Sequence, residues 1–544
     1  MCVKKAPDIL LSCTYHASRS SLHSNTARSH DTMHHALLLP EIVATILQNG
    51  KTTEGLLFTS LFVNRLFFRE ATRILWYGCG TDWNSATAGH VTPDIRHLGQ
   101  IVEQSAQRAQ IYANLIHVLQ FRDEGELNGF ADEARWHQKF LQLDFPALEQ
   151  VDLYPSEDAI TLNTGEVVLH YAQSNLKRLG FHAGSQLDNS FLNRLCERCP
   201  RLQELILTTI KGSIITKEEL AAFLKRTIAL QNLQISAEFQ KLWTQQAFET
   251  VSMYQNLGLL HMHHIEDSWI TAIDRNGVSS VFPNLKHLYA GVLHTGLELL
   301  HRFIPKLRGL TLENEELGPS HQILLAASRF TALTELKIQL GEASRISSQE
   351  LVQLARNCPK LRKLSIAEDQ SAACIPSASG ITDELMENFA RNAPYLHELC
   401  LIFNPQLPVT LHSPTFQSLR SLGRHCPDLI ILTFFCSMDW DGFRQSSSEI
   451  LFSELWFLKL FGLHSLDTDD EDVVKDLAKK LMSISPKLMD FSIDEPTEAE
   501  ELLEDAVTHM CYGIGVAING GDDINDNIDN DVDEESKEDV LDRV

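Results

Sequence analysis

The chain has 544 residues, 44% of them hydrophobic, and carries 72 acidic against 46 basic side chains for a formal charge of −26. That balance excludes a general nucleic-acid binder, which needs a basic stripe to displace counterions from phosphate. No apolar run reaches the roughly 18 residues a bilayer-spanning helix requires. The charge is also uneven, because residues 494–544 hold 18 acids and 2 bases.

Residues 1–36 contain few acids and no apolar face at helical spacing, so they are expected to form a disordered leader rather than a targeting helix, with Met33 as an alternative start. In the next segment, 37–78, Leu39-Pro40-Glu41 puts a proline and an acid in a first helical turn. Leu39, Ile42, Val43, Ile46 and Leu47 are expected to form one stripe. A second apolar helix is predicted from Leu56 to Phe68, followed by Ile74-Leu75-Trp76. About 40 residues are too few to bury this much apolar surface alone, so the segment should dock on a partner or on the rest of the chain. Residues 79–144 read as a helical linker and capping repeat. Ile95, Leu98, Ile101 and Val102, then Tyr112, Leu115 and Leu119, follow helical spacing, Ile116–Phe121 is a degenerate repeat, and Leu127–Trp136 lacks a period and reads as a loop.

From 145 to 495 one pattern recurs about 13 times: a helix-like stretch, often a proline, one residue, then Leu-x-x-Leu-x-Leu. Pro200-Arg-Leu202-Gln-Glu-Leu205-Ile-Leu207 and Pro359-Lys-Leu361-Arg-Lys-Leu364-Ser-Ile366 are clear copies. The first leucines run from Leu148, Leu176, Leu202 and Leu230 to Leu429, Leu455 and Leu488, at a mean spacing near 28 residues. Eight of the 18 prolines stand two residues before that leucine, where they stop a helix and favour extended backbone. Each unit therefore reads strand, loop, helix, and one unit alone cannot bury its leucines. The expected fold is α/β, a horseshoe-shaped solenoid with a parallel sheet inside and helices outside.

Alternation along a strand puts the second x of Leu-x-x-Leu and the x of Leu-x-Leu on the concave face. Both charge signs and a few aromatics fall there, the mark of protein recognition rather than phosphate reading. Tyr289, Lys337, Lys363 and Phe457 are the candidate target contacts. Three longer repeats carry polar insertions, 369–380, 404–415 and 464–472, which are candidate binding loops or neutral surface length. His261-Met-His263-His264 is read as strand-surface histidines rather than a metal site, and Cys196-Glu-Arg-Cys199 lacks a second ligand pair at zinc spacing. No nucleotide-binding, serine-hydrolase or zinc-protease motif occurs. The chain is expected to be non-catalytic, without cofactor or metal, and its scattered cysteines to be reduced thiols of the cytosol or nucleus. Residues 496–544 are expected to be a disordered acidic tail.

The front segment resembles an F-box of fungal type. Leu39-Pro40-x-Ile42-Val43-x-x-Ile46, with Leu57, Leu61 and Val63 downstream, matches the family, while Asn64 and Phe67 or Phe68 depart from it. The repeats resemble the long, helix-containing leucine-rich repeats, and the pairing of the two is a known architecture. The resemblance implies that those eight positions bind a Skp-type adaptor joined to a cullin scaffold, and that the repeats hold a protein target for ubiquitin transfer. Read from the residues alone, the alternative is a repeat scaffold with no ubiquitin role, its front helices serving as a cap.

Overall fold

The computed structural model describes residues 37–512, apart from 81–92, 122–130, 154–163, 315–321, 367–376, 403–413 and shorter stretches between elements. The expected leader, the three polar insertions for most of their length, and residues 513–544 lie outside the described residues. The chain divides into two compact units, one ending at Tyr77 apart from residues 82–92, the other comprising Gly78–Thr81 and everything from Pro93.

The first unit is three helices: α1 (Pro40–Asn49), α2 (Leu56–Ser60) and α3 (Arg65–Leu75). Pro40 and Glu41 open α1 as expected, since proline lacks a donor that would go unpaired there and an acid suits the positive helix end. The single helix expected over 56–68 is interrupted. Asn64 takes an extended backbone, and its Oδ1 accepts the N–H groups of Leu66 (2.8 Å) and Phe67 (3.1 Å), so a new helix begins at Arg65. A side chain that competes with the helix backbone outweighs the apolar run around it. Val43, Leu47, Leu57, Ala71, Ile74 and Leu75 form the core, with Leu61, Leu66, Phe67 and Trp76 packed against it.

The second unit is a leucine-rich repeat solenoid. Its strands are β1 (Gly78–Gly80), β2 (Val118–Phe121), β3 (Gln150–Leu153), β4 (Arg178–Gly184), β5 (Glu204–Ile210), β6 (Asn232–Ile235), β7 (Leu259–His264), β8 (His287–Gly291), β9 (Gly309–Asn314), β10 (Glu335–Leu340), β11 (Arg345–Ser347), β12 (Lys363–Ile366), β13 (Ser377–Ser379), β14 (Glu398–Leu401), β15 (Ile431–Phe435), β16 (Phe457–Phe461) and β17 (Asp490–Ile493). Among the described residues, fifteen of them form one parallel sheet in chain order, and β11 pairs with β13 apart from it. The register aligns equivalent leucines across neighbours, as in Leu310, Leu336, Leu364, Leu399, Leu432 and Leu458. The first leucine of all 13 copies is buried. Each such leucine contributes about 1.5–3 kcal/mol relative to exposure, and the ladder lets every repeat supply the cover its neighbour lacks.

Helices follow most strands, and their ends show how the repeat is punctuated. Threonine or serine caps several N-termini, including Thr216, Thr244, Thr382 and Ser347, the last in a reciprocal box with Glu350. At the other end Cys199, Cys358 and Cys426 occupy the residue just past the helix and just before Pro200, Pro359 and Pro427. All three are buried, and burial pushes their thiols up to about 12. Cys358 Sγ lies 3.5 Å from the Phe330 carbonyl of the preceding repeat. The Cys196–Cys199 pair thus contains a repeat-position cysteine, and the described cysteines are free thiols.

Two expectations need correction, and one strand has no counterpart among the expected elements. Gly78–Gly80 is a strand, paired with β2, although Gly-Cys-Gly carries no apolar alternation. Residues Ala131–Phe140 form a helix where a loop was expected through Trp136, and His137 within it donates to or accepts from Tyr171 Oη at 3.1 Å. The acidic tail does not begin at 496, because Glu498–Cys511 is a helix. Ala499, Leu503 and Val507 recur on one face and are buried, Glu500 accepts the Trp440 indole N–H at 3.2 Å, and the Glu504 carboxylate receives the Ile493 N–H at the end of β17. Three of its acids, Glu498, Glu500 and Glu501, lie in the first turn, where the helix end favours them.

Candidate protein-docking surfaces

In the front unit the five-residue stripe of α1 divides between two environments. Val43 and Leu47 are closed into the core, at 0% and 1% exposed, whereas Leu39, Ile42 and Ile46 are 52%, 40% and 44% exposed. Of the eight positions matching the F-box pattern, Leu39, Ile42, Ile46 and Val63 face solvent and Pro40 and Leu61 are half-buried. Val43 and Leu57 are corrected as contact residues: they are buried and hold the module together. Phe58, Phe62 and Phe68 were not among the expected contacts, yet all three are exposed, Phe62 by 70%. The spacing of four between Phe58 and Phe62 was the available signal, since residues four apart share a helix face. Seven large apolar side chains, each about half exposed and of about 150–200 Å², leave on the order of 500–700 Å² uncovered.

In the solenoid, the sheet face carries the four expected target contacts in two rows. Tyr289 and Lys337 share one row with Thr311 between them, and Lys363, Glu398, Ile431 and Phe457 follow one another along the other. The four are strung along the face rather than gathered in one pocket, since six strand spacings separate β8 from β16. Tyr289 packs against His261 in a tilted arrangement, with ring centres 5.6 Å apart. Burial, then the nearby Glu335, raises the Tyr289 hydroxyl, and burial lowers the His261 imidazole. Both rings therefore stay neutral near pH 7 and offer flat, weakly hydrated contact area. Lys363 Nζ sits 2.7 Å from Glu398, an exposed pair that solvent screens.

The face closes on itself toward the chain's beginning. Asp152 is 2% exposed and accepts from Gln150 (2.8 Å) and Arg178 (3.2 Å), while Arg178 also reaches Glu204 at 3.1 Å. Gly180 makes room for this knot, as a Cβ there would lie 2.2 Å from Asp152 Oδ1. Among the described residues no group of His, Cys, Asp or Glu could hold a metal ion, and no helix is long and apolar enough to cross a membrane. His264 Nδ1 lies instead 3.0 Å from the Gly291 carbonyl.

No family model matches the sequence, and no curated protein matches it. Among solved structures, a chain in the crystal structure of a Rad7 and Elc1 complex in yeast is similar at 12% identity, covering 86% of this chain and 96% of that one, with a TM-score of 0.31. A score at that level transfers no role to this chain. The repeat architecture rests on the strand register and the buried leucine rows.

Proposed function

We propose that this chain is the non-catalytic target-recognition subunit of a Skp–cullin–F-box type ubiquitin ligase. Residues 37–78 bind a Skp-type adaptor, through it a cullin scaffold, and the repeats hold a protein target. The observation that supports this reading is the set of exposed apolar side chains on the front unit. Its core is complete without Leu39, Ile42, Ile46 and Phe62, so these residues do not serve the module's own folding. They suit a partner that supplies the missing cover. Other subunits would carry the bond-making, and this chain would contribute effective concentration of target near the transferred ubiquitin.

The test is co-expression with a Skp-type adaptor and measurement of the complex. Ile42→Asp and Phe62→Asp should each weaken binding by about 2 kcal/mol or more, roughly 30-fold, with the helical circular dichroism of the chain unchanged. A wild-type chain that captures no adaptor of this type refutes the ligase reading and leaves a repeat scaffold.

A further inference from the structure

One row of the solenoid breaks its own pattern. The residue after the first leucine of each repeat donates its N–H to the carbonyl of the equivalent residue one repeat earlier. Arg308 donates to Lys286 (2.8 Å), Thr334 to Arg308 (2.8 Å), Arg362 to Thr334 (2.8 Å), His397 to Arg362 (2.7 Å), Ile430 to His397 (2.7 Å) and Trp456 to Ile430 (2.8 Å). This ladder sets the side chains in a continuous line, one strand spacing of about 4.8 Å apart. Lys286, Arg308 and Arg362 are exposed cations in a chain of formal charge −26. At β15 and β16 the line then turns apolar, with Ile430 38% and Trp456 51% exposed.

The neighbouring row changes at the same place, where Ile431 stands beside Phe457. Ile430 and Trp456 are apolar neighbours in the line, and Ile431 and Phe457 are apolar neighbours in the next row, yet the core beneath is already built by Leu429, Leu432, Leu455 and Leu458, all buried. The next row carries Glu335 beside Thr334 and Glu398 beside His397, and Lys363 engages Glu398 at 2.7 Å.

We propose that this line is the docking track for an extended acidic peptide segment of a protein partner. An aliphatic or aromatic side chain seats on Ile430 and Trp456, and carboxylates run along Arg362, Arg308 and Lys286. Charge complementarity selects the occupant, and the apolar pair sets its register. From Lys286 to Trp456 is six strand spacings, about 29 Å, the reach of roughly nine extended residues at about 3.3 Å each. The inference deepens the reading of the repeats as the target-holding part and does not depend on adaptor binding.

The experiment uses the full chain and a fluorescein-labelled decapeptide, six glutamates followed by Leu-Phe-Leu-Gly, with its lysine counterpart as control. Fluorescence anisotropy should show the acidic peptide binding at least about tenfold tighter than the lysine one, and more weakly as salt rises. Trp456→Ala should weaken it at least about tenfold. Arg308→Glu combined with Arg362→Glu should abolish it, while melting and adaptor capture stay as in the wild type. Equal binding of the two peptides, or affinity indifferent to these substitutions, overturns the proposal. So does self-association that Trp456→Ala abolishes, which would make the occupant a second copy. Binding seen only after deletion of residues 513–544 would also overturn the assignment to a partner and make the chain's own acidic segment the occupant. Loss of adaptor capture with peptide binding intact would overturn the ligase reading and support the docking track.

Discussion

Glu219 offers a stability prediction whose sign and size follow from its surroundings. It lies in the first turn of the helix Lys217–Arg226, and Oε1 accepts the Leu192 N–H at 3.0 Å from the first turn of the helix one repeat earlier. The residue is 5% exposed, and Oε2 is buried with no hydrogen-bond partner. Burial raises its carboxyl to about 7, against the hydrogen bonds from the earlier helix. The folded chain therefore binds a proton more readily than the unfolded chain. The stability is fully present below the unfolded value near 4.5 and is lost as pH rises toward 7. The loss is about 2–3 kcal/mol once solvent penetration is allowed for. Glu219→Gln keeps the acceptor for Leu192, removes the buried charge and leaves an amide N–H₂ short of partners, at about 1 kcal/mol. The variant should be more stable than wild type by about 1–2 kcal/mol at pH 8 and less stable by about 1 kcal/mol at pH 4.5. Because repeat arrays need not unfold in one step, urea unfolding is best paired with amide exchange in Phe191–Arg198. A variant with the wild-type pH slope, or one equally destabilised at both pH values, refutes the reasoning.

Two further outcomes are expected. Asn64→Ala should destabilise the front unit by about 1–2 kcal/mol, because it orphans the N–H groups of Leu66 and Phe67; amide exchange in α3 reads the loss, and Asn64→Asp should largely restore it. A chain ending at Asp494 should lose protease resistance in its last repeats, whereas one ending at Tyr512 should keep it, since the helix Glu498–Cys511 buries Ala499, Leu503 and Val507 and supplies the Glu504 acceptor at the end of β17.

The solenoid was legible because its leucines do one job thirteen times. Leu202, Leu205 and Leu207 carry the same instruction as Leu361, Leu364 and Ile366, so the period survives substitution at any one copy. Elements outside that repetition were hidden. Gly78–Gly80 has no apolar side chain beyond Cys79 to announce a strand, and its pairing is fixed by backbone bonds to β2. Residues Glu498–Cys511 were masked by acidic composition, although Ala499, Leu503 and Val507 return at helical spacing. In the front unit the family pattern named positions, but a pattern does not separate core from surface. Val43 and Ile42 are neighbours in sequence and both apolar, yet one is sealed and the other open, because a helix turns about 100° per residue.

Exposed apolar residues deserve weight in proportion to how little the fold needs them. A half-exposed Leu on a strand edge is ordinary, since apolar atoms make up more than half of any folded surface. Ile42 and Ile46 differ: α1 already presents Val43 and Leu47 inward, so polar residues at 42 and 46 would leave the core intact and raise solubility. Trp456 differs for the same reason, because its equivalents Lys286, Arg308 and Arg362 show that a charged residue fits the position without disturbing the ladder. At both places the repeat or the helix supplies its own control, and the apolar choice has no explanation inside the fold. Partner contact supplies one, and it separates the two surfaces by chemistry: several exposed apolar side chains on the front unit, and a narrow apolar anchor beside cations on the solenoid. Substitutions at one should leave binding at the other unchanged.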